Sequence, residues 1–231
     1  MTRSFLVPVG LAAVVSIAAV APAAAQSVKL SNERTFTRWA NAAVPARAYV
    51  RPSPGALQVG RLRLLTEDGF PEVYVLLAER ADWVRLRLPQ RPNGVTGWVR
   101  RDALGPFRIV HTRLVVNRRS LRVTLYDHGK RRFRARVGIG APGTPTPVGR
   151  FWIREKFHVS GVPLYGTRAM GTAAYSDVLT DWPGGGVIGM HGTSQPELIP
   201  GRPSHGCVRL PNRDIERLYR LTPVGTPLRI K

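Results

Sequence analysis

The chain has one cysteine, Cys207, within Ser204-His205-Gly206-Cys207-Val208-Arg209. His191 lies 16 positions upstream, in Met190-His191-Gly192-Thr193. A thiol attacks an acyl carbon as its thiolate, so it needs a base within reach or a lowered pKa. The oxyanion that then develops needs donors already in place, and backbone amides beside a glycine supply them. One thiol, two histidines and a glycine in this order suit cysteine-dependent acyl transfer.

Two histidines compete for the role of base. Read as an extended strand, His205, Cys207 and Arg209 share one face, with the His205 and Cys207 Cβ atoms about 6–7 Å apart. That is long for a direct nitrogen–sulfur hydrogen bond. His191 on a neighbouring strand would face Cys207 at about 5 Å. His191 is therefore the expected base, and His205 a pocket neighbour that donates to substrate. The amides of Gly206 and Cys207 are the expected oxyanion donors. No carboxylate is placed to orient His191, but the Gly192 carbonyl can accept its second ring N–H. Arg209 suits a substrate carboxylate. His111, His128 and His158 stand alone and read as surface or satisfied core residues. A metal site of His191, His205 and Cys207 lacks the tight spacings and further ligands of a zinc centre. No metal or organic cofactor is expected. Ser204 has no nucleophile elbow around it.

The elements that must position these groups read as strands. Val187 to Met190 is a short buried strand delivering His191, and Val208 to Leu210 belongs to another. Upstream, Arg108–Val110, Leu114–Val116, Ser120–Tyr126 and Arg132–Ile139 alternate, with a hairpin turn at Asp127-His128-Gly129-Lys130. Phe157 to Asp181 is glycine-rich and reads as loops with short strands. Asp214 to Leu221 is the one convincing helix, ended by Thr222-Pro223. Pro227 to Ile230 is a last strand. Residues 46–105 hold short strands at Val59–Leu65, Val73–Leu77, Trp83–Leu88 and Gly97–Val99, with turns at Pro52-Ser53-Pro54-Gly55 and Pro92-Asn93-Gly94. That spacing suggests a small β-barrel. Gly105-Pro106 is a plausible boundary, and residues 26–45 read as a polar lead-in.

The 231 residues suit one or two domains, and hydrophobic residues at 43% are ordinary for a globular protein. The net charge of +21 is not ordinary, and nearly all of it is arginine: lysine stands only at positions 29, 130, 156 and 231. Residues from Pro106 onward hold 21 basic and 7 acidic side chains, and residues 26–105 hold 13 and 7. Such charge attracts anionic surfaces, of a wall or a membrane. Many of the arginines alternate with apolar residues as outward strand positions do. No nucleic-acid motif is present, so no nucleic acid is expected. Arg3, the apolar run from Phe5 to Val20 and Ala23-Ala24-Ala25 read as a cleaved signal peptide, residues 1–25. The apolar run is short for a membrane span. Export places the protein in the periplasm or cell wall, where one cysteine makes no internal disulfide.

The second half resembles a known family. His191 with Ser204-His205-Gly206-Cys207-Val208-Arg209-Leu210 is similar to the signature of YkuD-type L,D-transpeptidases. Gly138-Ile139-Gly140, Thr144-Pro145-Thr146-Pro147-Val148-Gly149, Phe151-Trp152-Ile153, Asn212-Arg213-Asp214 and Val224 to Ile230 support it. Val148 departs from the threonine frequent there, and Ser160 to Asp181 cannot be matched position by position. The resemblance covers about 107–231. It implies a β-sandwich-like catalytic domain with one helix near its end, so the chain as a whole is expected to be mainly β. It implies Cys207 as nucleophile, His191 as proton acceptor and donor, and a site lined by Ser204, His205, Gly206 and Arg209, with Gly192 beside them. It implies acyl transfer on peptidoglycan stem peptides, forming 3→3 cross-links through a thioester, and acylation of Cys207 by carbapenems. An L,D-carboxypeptidase or an enzyme anchoring proteins to the wall would use the same site. Residues 46–105 resemble bacterial SH3-like domains, through Val50-Arg51-Pro52-Ser53-Pro54, Trp83 and Gly97-Trp98-Val99-Arg100. An NlpC/P60-type cysteine peptidase also pairs with such domains but places its histidine after the cysteine, and none follows Cys207. A wall-binding protein without chemistry would leave the second-half signature unexplained.

Overall fold

Strand alternation dominates the chain, and two sheets result. A computed structural model describes Met1, residues 26–181 and residues 185–231; the signal-peptide segment falls almost wholly outside the described residues. The first sheet contains β1 (Val28–Lys29), β2 (Thr37–Asn41), β3 (Ala46–Tyr49), β4 (Gln58–Leu62), β5 (Val73–Arg80), β6 (Trp83–Arg87), β7 (Thr96–Arg100) and β8 (Arg108–Val110). Its order is β4-β3-β7-β6-β5-β2-β8, with β1 also on β5, and its strands pair antiparallel. Leu62, Tyr74, Leu76, Val84, Leu86 and Val99 fill its core.

The second sheet contains β9 (Thr112–Asn117), β10 (Arg122–Asp127), β11 (Lys130–Arg136), β12 (Gly138–Gly140), β13 (Gly149–His158), β14 (Arg168–Tyr175), β15 (Val187–His191), β16 (Gly201–Ser204), β17 (Val208–Arg209) and β18 (Pro227–Ile230). Its order is β11-β10-β9-β18-β13-β14-β15-β17-β12-β16. The helix α1 (Asn212–Leu221) buries Ile215 and Leu218 in a core with Leu114, Phe151, Ile153, Met170, Met190 and Val208. The protein is mainly β with one α-helix among the described residues.

Three sequence expectations need correction. Residues 26–45 are not merely a lead-in: β2 lies inside the first sheet, between β5 and β8. That sheet also runs past Pro106, because β8 pairs back onto β2 through Thr37↔Val110. The segment from Phe157 to Asp181 is less loop-like than its glycines suggest. β13 extends to His158, and seven of the eight residues of β14 are buried. A strand buried on both faces shows no alternation, which hides it from a period-2 reading.

The halves are joined by buried polar contacts. Trp152 donates its indole N–H to the Val73 carbonyl at 2.7 Å. Arg154 is fully buried and pairs with Glu72 and Glu67, which belong to the first half. Asn93 donates to the Tyr175 carbonyl at 2.7 Å and accepts the Tyr175 amide at 3.0 Å. Arg91 donates to the carbonyls of Ser176 and Leu179. The first half thereby holds the segment that leaves β14.

Candidate active site

β15 is flanked by β14 and β17, and this pairing sets the position of His191. The register puts Ala169 opposite His191 on one side and, in parallel, Arg209 beside it on the other. The Gly192 amide donates to the Arg168 carbonyl and the Leu210 amide donates to the His191 carbonyl. The strand is therefore anchored on both edges where it delivers the imidazole. His191 is 3% exposed, and its Nδ1 lies 2.6 Å from the Gly192 carbonyl oxygen. Nδ1 carries the proton in that bond, so Nε2 is the basic nitrogen. Burial, reinforced by the nearby Arg209 charge and opposed by the Gly192 bond, lowers the pKa to about 4. The ring is neutral at pH 7. The Tyr165 ring covers it, with centroids 4.6 Å apart.

Cys207 sits in a tight turn between β16 and β17, not in an extended strand. Gly206 has φ +124, a conformation open to glycine, and a Cβ there would lie 2.7 Å from Ile188 Cδ1. His205 is exposed at the mouth, whereas Cys207 is half-buried. The face-sharing expected of His205 and Cys207 is lost because the chain turns at Gly206. Ser204 holds this turn: its hydroxyl donates to the Cys207 carbonyl at 2.6 Å and accepts the Gly206 amide at 3.1 Å. The Gly206 amide is thus committed, and of the two expected oxyanion donors the Cys207 amide remains. Gly189, on β15, donates its amide to Cys207 Sγ at 3.4 Å. Burial raises the thiol pKa, while the Gly189 bond and the Arg209 charge oppose that rise. The thiol is protonated at rest and needs a base to attack.

Two cavities meet at this pair. One, of about 100 Å³, is lined by Ser204, His205, Arg209, Leu164, Tyr165 and Ser176 together with His191 and Cys207. Arg209 is 8% exposed, and its Nε is buried without a hydrogen-bond partner. A buried guanidinium with a spare donor suits a carboxylate or developing negative charge. The other cavity, of about 290 Å³, shares Tyr165, Val187, His191 and Cys207 and is otherwise largely apolar. The carboxyls of Glu155 and Asp68 line it. Thr66 donates to Glu155 at 2.5 Å, so a first-half residue fixes a wall of this cavity. Burial pushes the Glu155 pKa up to about 7.

The structure brings Cys207, His191, Ser204, His205 and Arg209 to one cavity. Gly206 and Gly192 are structural neighbours: Gly192 orients the imidazole and packs against Gly166 and Asn212. Four further residues were not singled out from sequence. Fully buried Thr146 donates to the Gly206 carbonyl at 2.7 Å and accepts the Gly140 amide at 2.9 Å. Gly189, Tyr165 and Glu155 complete the surroundings. Only Thr146 had a signal, in Thr144-Pro145-Thr146-Pro147. Among the described residues, no group of three or more His, Cys, Asp or Glu side chains could hold a metal ion.

Residues 111–230 match the model of the YkuD family, the L,D-transpeptidase catalytic domain. This chain belongs to the YkuD L,D-transpeptidase family. The match starts at the residue after β8, where the second sheet begins. YbiS of Escherichia coli, named a probable L,D-transpeptidase, is 30% identical over 134 residues, covering 51% of this chain and 44% of that protein. YkuD of Bacillus licheniformis, with a similarly provisional name, is 31% identical over 125 residues, covering 54% of this chain and 66% of that protein. The aligned region thus spans less than half of the first relative and about two thirds of the second. A crystal structure of a mutant Enterococcus faecium L,D-transpeptidase aligns at 25% identity and a TM-score of 0.41, covering 52% of this chain and 49% of that one.

Proposed function

We propose that this protein is an exported peptidoglycan L,D-transpeptidase that forms 3→3 cross-links through a Cys207 thioester. The observation that carries the reading is the Nδ1 bond of His191 to Gly192, which leaves a neutral, basic Nε2 on a cavity wall shared with Cys207. His191 takes the thiol proton as Cys207 Sγ attacks the carbonyl carbon of the third stem residue. The C–N bond to the terminal D-alanine breaks, and the protonated imidazole gives its proton to the departing amine. The Cys207 amide faces the developing oxyanion, and Arg209 takes the carboxylate of the leaving residue. An amine on the third residue of a second stem then attacks the thioester and loses its proton to His191. The C–S bond breaks and the thiol is regenerated. By microscopic reversibility the incoming amine uses the side that the D-alanine left. The first half is proposed as an SH3-like module that holds the walls of the site.

Mass spectrometry after mixing the protein with purified tetrapeptide muropeptides tests this, with Cys207→Ala as control. A cross-linked dimer, absent from the control, is expected. Monomers shortened by one D-alanine would make the enzyme an L,D-carboxypeptidase instead, and a fully active Cys207→Ala protein would end the mechanism. A carbapenem should add its mass to the wild-type chain and leave Cys207→Ala unchanged.

A further inference from the structure

The outer face of the second sheet carries far more positive charge than nearby carboxylates balance. The core takes Leu114 and Val116 from β9, Val123 and Leu125 from β10, Phe133 and Ala135 from β11, and Leu228 and Ile230 from β18. Strand alternation turns Arg113, Arg122, Arg134, Arg136 and Arg229 to the other side. The register sets Arg150 directly beside Arg229, and Arg122 beside Arg136. Opposed like charges destabilise a ladder. Where the first half meets this face, a concave corner of about 260 Å³ is lined by Asn32, Glu33, Arg34, Arg113, Arg150 and Arg229, among others. Glu33 is its carboxylate, and Arg87 at 2.8 Å and Arg150 at 3.4 Å already hold it. Arg113 lies over the Tyr126 ring, and its Nε is buried without a hydrogen-bond partner. Among the described residues, no carboxylate pairs with Arg34, Arg113 or Arg229.

We infer that this corner is a second binding site, for an extended polyanion whose charges are phosphate groups. It shares no lining residue with the two cavities at Cys207. Guanidinium forks match phosphate oxygens in pairs, which a field of ammonium groups does not. Arg150 and Arg229 stand side by side on neighbouring strands, which lie ~4.8 Å apart, so the corner presents closely spaced charges to a chain of phosphates. The corner is concave, which admits a single chain and resists a bilayer surface. None of the outward positions of β9, β10, β11 and β18 is an exposed large apolar side chain that would enter lipid.

The test titrates the full chain with linear inorganic polyphosphate of defined length across a range of salt. Wild type should bind with an affinity that falls linearly in logarithm against log salt. Arg34→Gln/Arg113→Gln/Arg229→Gln should bind roughly tenfold or more weakly at low salt, with the slope reduced by about 2, three contacts at ~0.7 each. Arg47→Gln/Arg61→Gln/Arg85→Gln removes equal charge from exposed first-half positions and should leave both unchanged. Equal losses in the two variants overturn the site in favour of general charge attraction. Binding to phosphatidylglycerol vesicles without binding to polyphosphate overturns it in favour of a membrane surface. If circular dichroism shows the first variant unfolded, exposed Arg229→Gln alone should lower the slope by about 0.7, and an unchanged slope overturns the proposal.

Discussion

The Nδ1 of His191 is 2.6 Å from the Gly192 carbonyl oxygen, and the ring is 3% exposed. Burial, with the Arg209 charge adding to it, holds its pKa near 4. The neutral ring is the active form, so the acid limb of kcat/KM should lie near pH 4, well below the roughly 6.5 of an ordinary histidine. Arg209→Gln removes the repelling charge and should move that limb to higher pH. A wild-type limb at 6.5, or one unmoved by the substitution, refutes this account of the base.

Thr146 acts on Cys207 at one remove, by pinning the Gly206 carbonyl and the Gly140 amide. Thr146→Val orphans both buried groups, at about 1–3 kcal/mol each. The variant should lose stability and kcat together, with KM nearly unchanged. Thr146→Ser keeps the hydroxyl and should restore kcat. A kcat loss in Thr146→Ser that Thr146→Val does not share would point to the methyl contacts instead.

Burial lifts the folded pKa of Glu155 from 4.5 to about 7, with Asp68 adding to the rise and Thr66 and Arg154 opposing it. The folded protein therefore holds this proton where the unfolded chain has released it. Stability is greatest below about pH 4.5 for this group and falls as pH rises through 7. Glu155→Gln is a neutral mimic of the protonated form. Its Tm should match wild type at pH 5 and exceed it at pH 8, by differential scanning calorimetry. Parallel Tm curves would show that the carboxyl ionises freely.

Arg154 is buried against Glu72, which is fully buried itself. Removing one partner of such a pair typically costs 3–5 kcal/mol. Arg63 remains 3.0 Å from Glu72, so Arg154→Met should cost about 3 kcal/mol, the lower end. Urea unfolding measures this directly. Arg154→Met/Glu72→Met should recover much of the loss, and a double variant worse than the single one would refute the assignment to an uncompensated charge.

The site was more legible in the sequence than its supports. Cys207, His191 and the Gly192 orienter follow from residue types and order, because chemistry restricts which groups can serve. β18 was legible from its alternation. β14 was not, because burial on both faces erases the period. The turn at Gly206 was misread as extended chain, since its positive φ leaves no mark beyond the glycine itself. Glu155 and Asp68 were invisible as a pair: they stand 87 positions apart and meet only because the halves pack together. The lead-in was misjudged because β2 owes its place to β5 and β8, both remote in sequence.

β18 is four residues long, yet it is the seam between two groups of strands: β9 to β11 on one side, and on the other β15, which carries His191, with β16 and β17, which flank the Cys207 turn. Residues near 230 must therefore leave the ribosome before the sheet can close. The thiol and the imidazole precede β18 in the chain, and until β18 arrives they have no completed scaffold to stand on. This order of assembly keeps the nucleophile idle while the polypeptide is still being made.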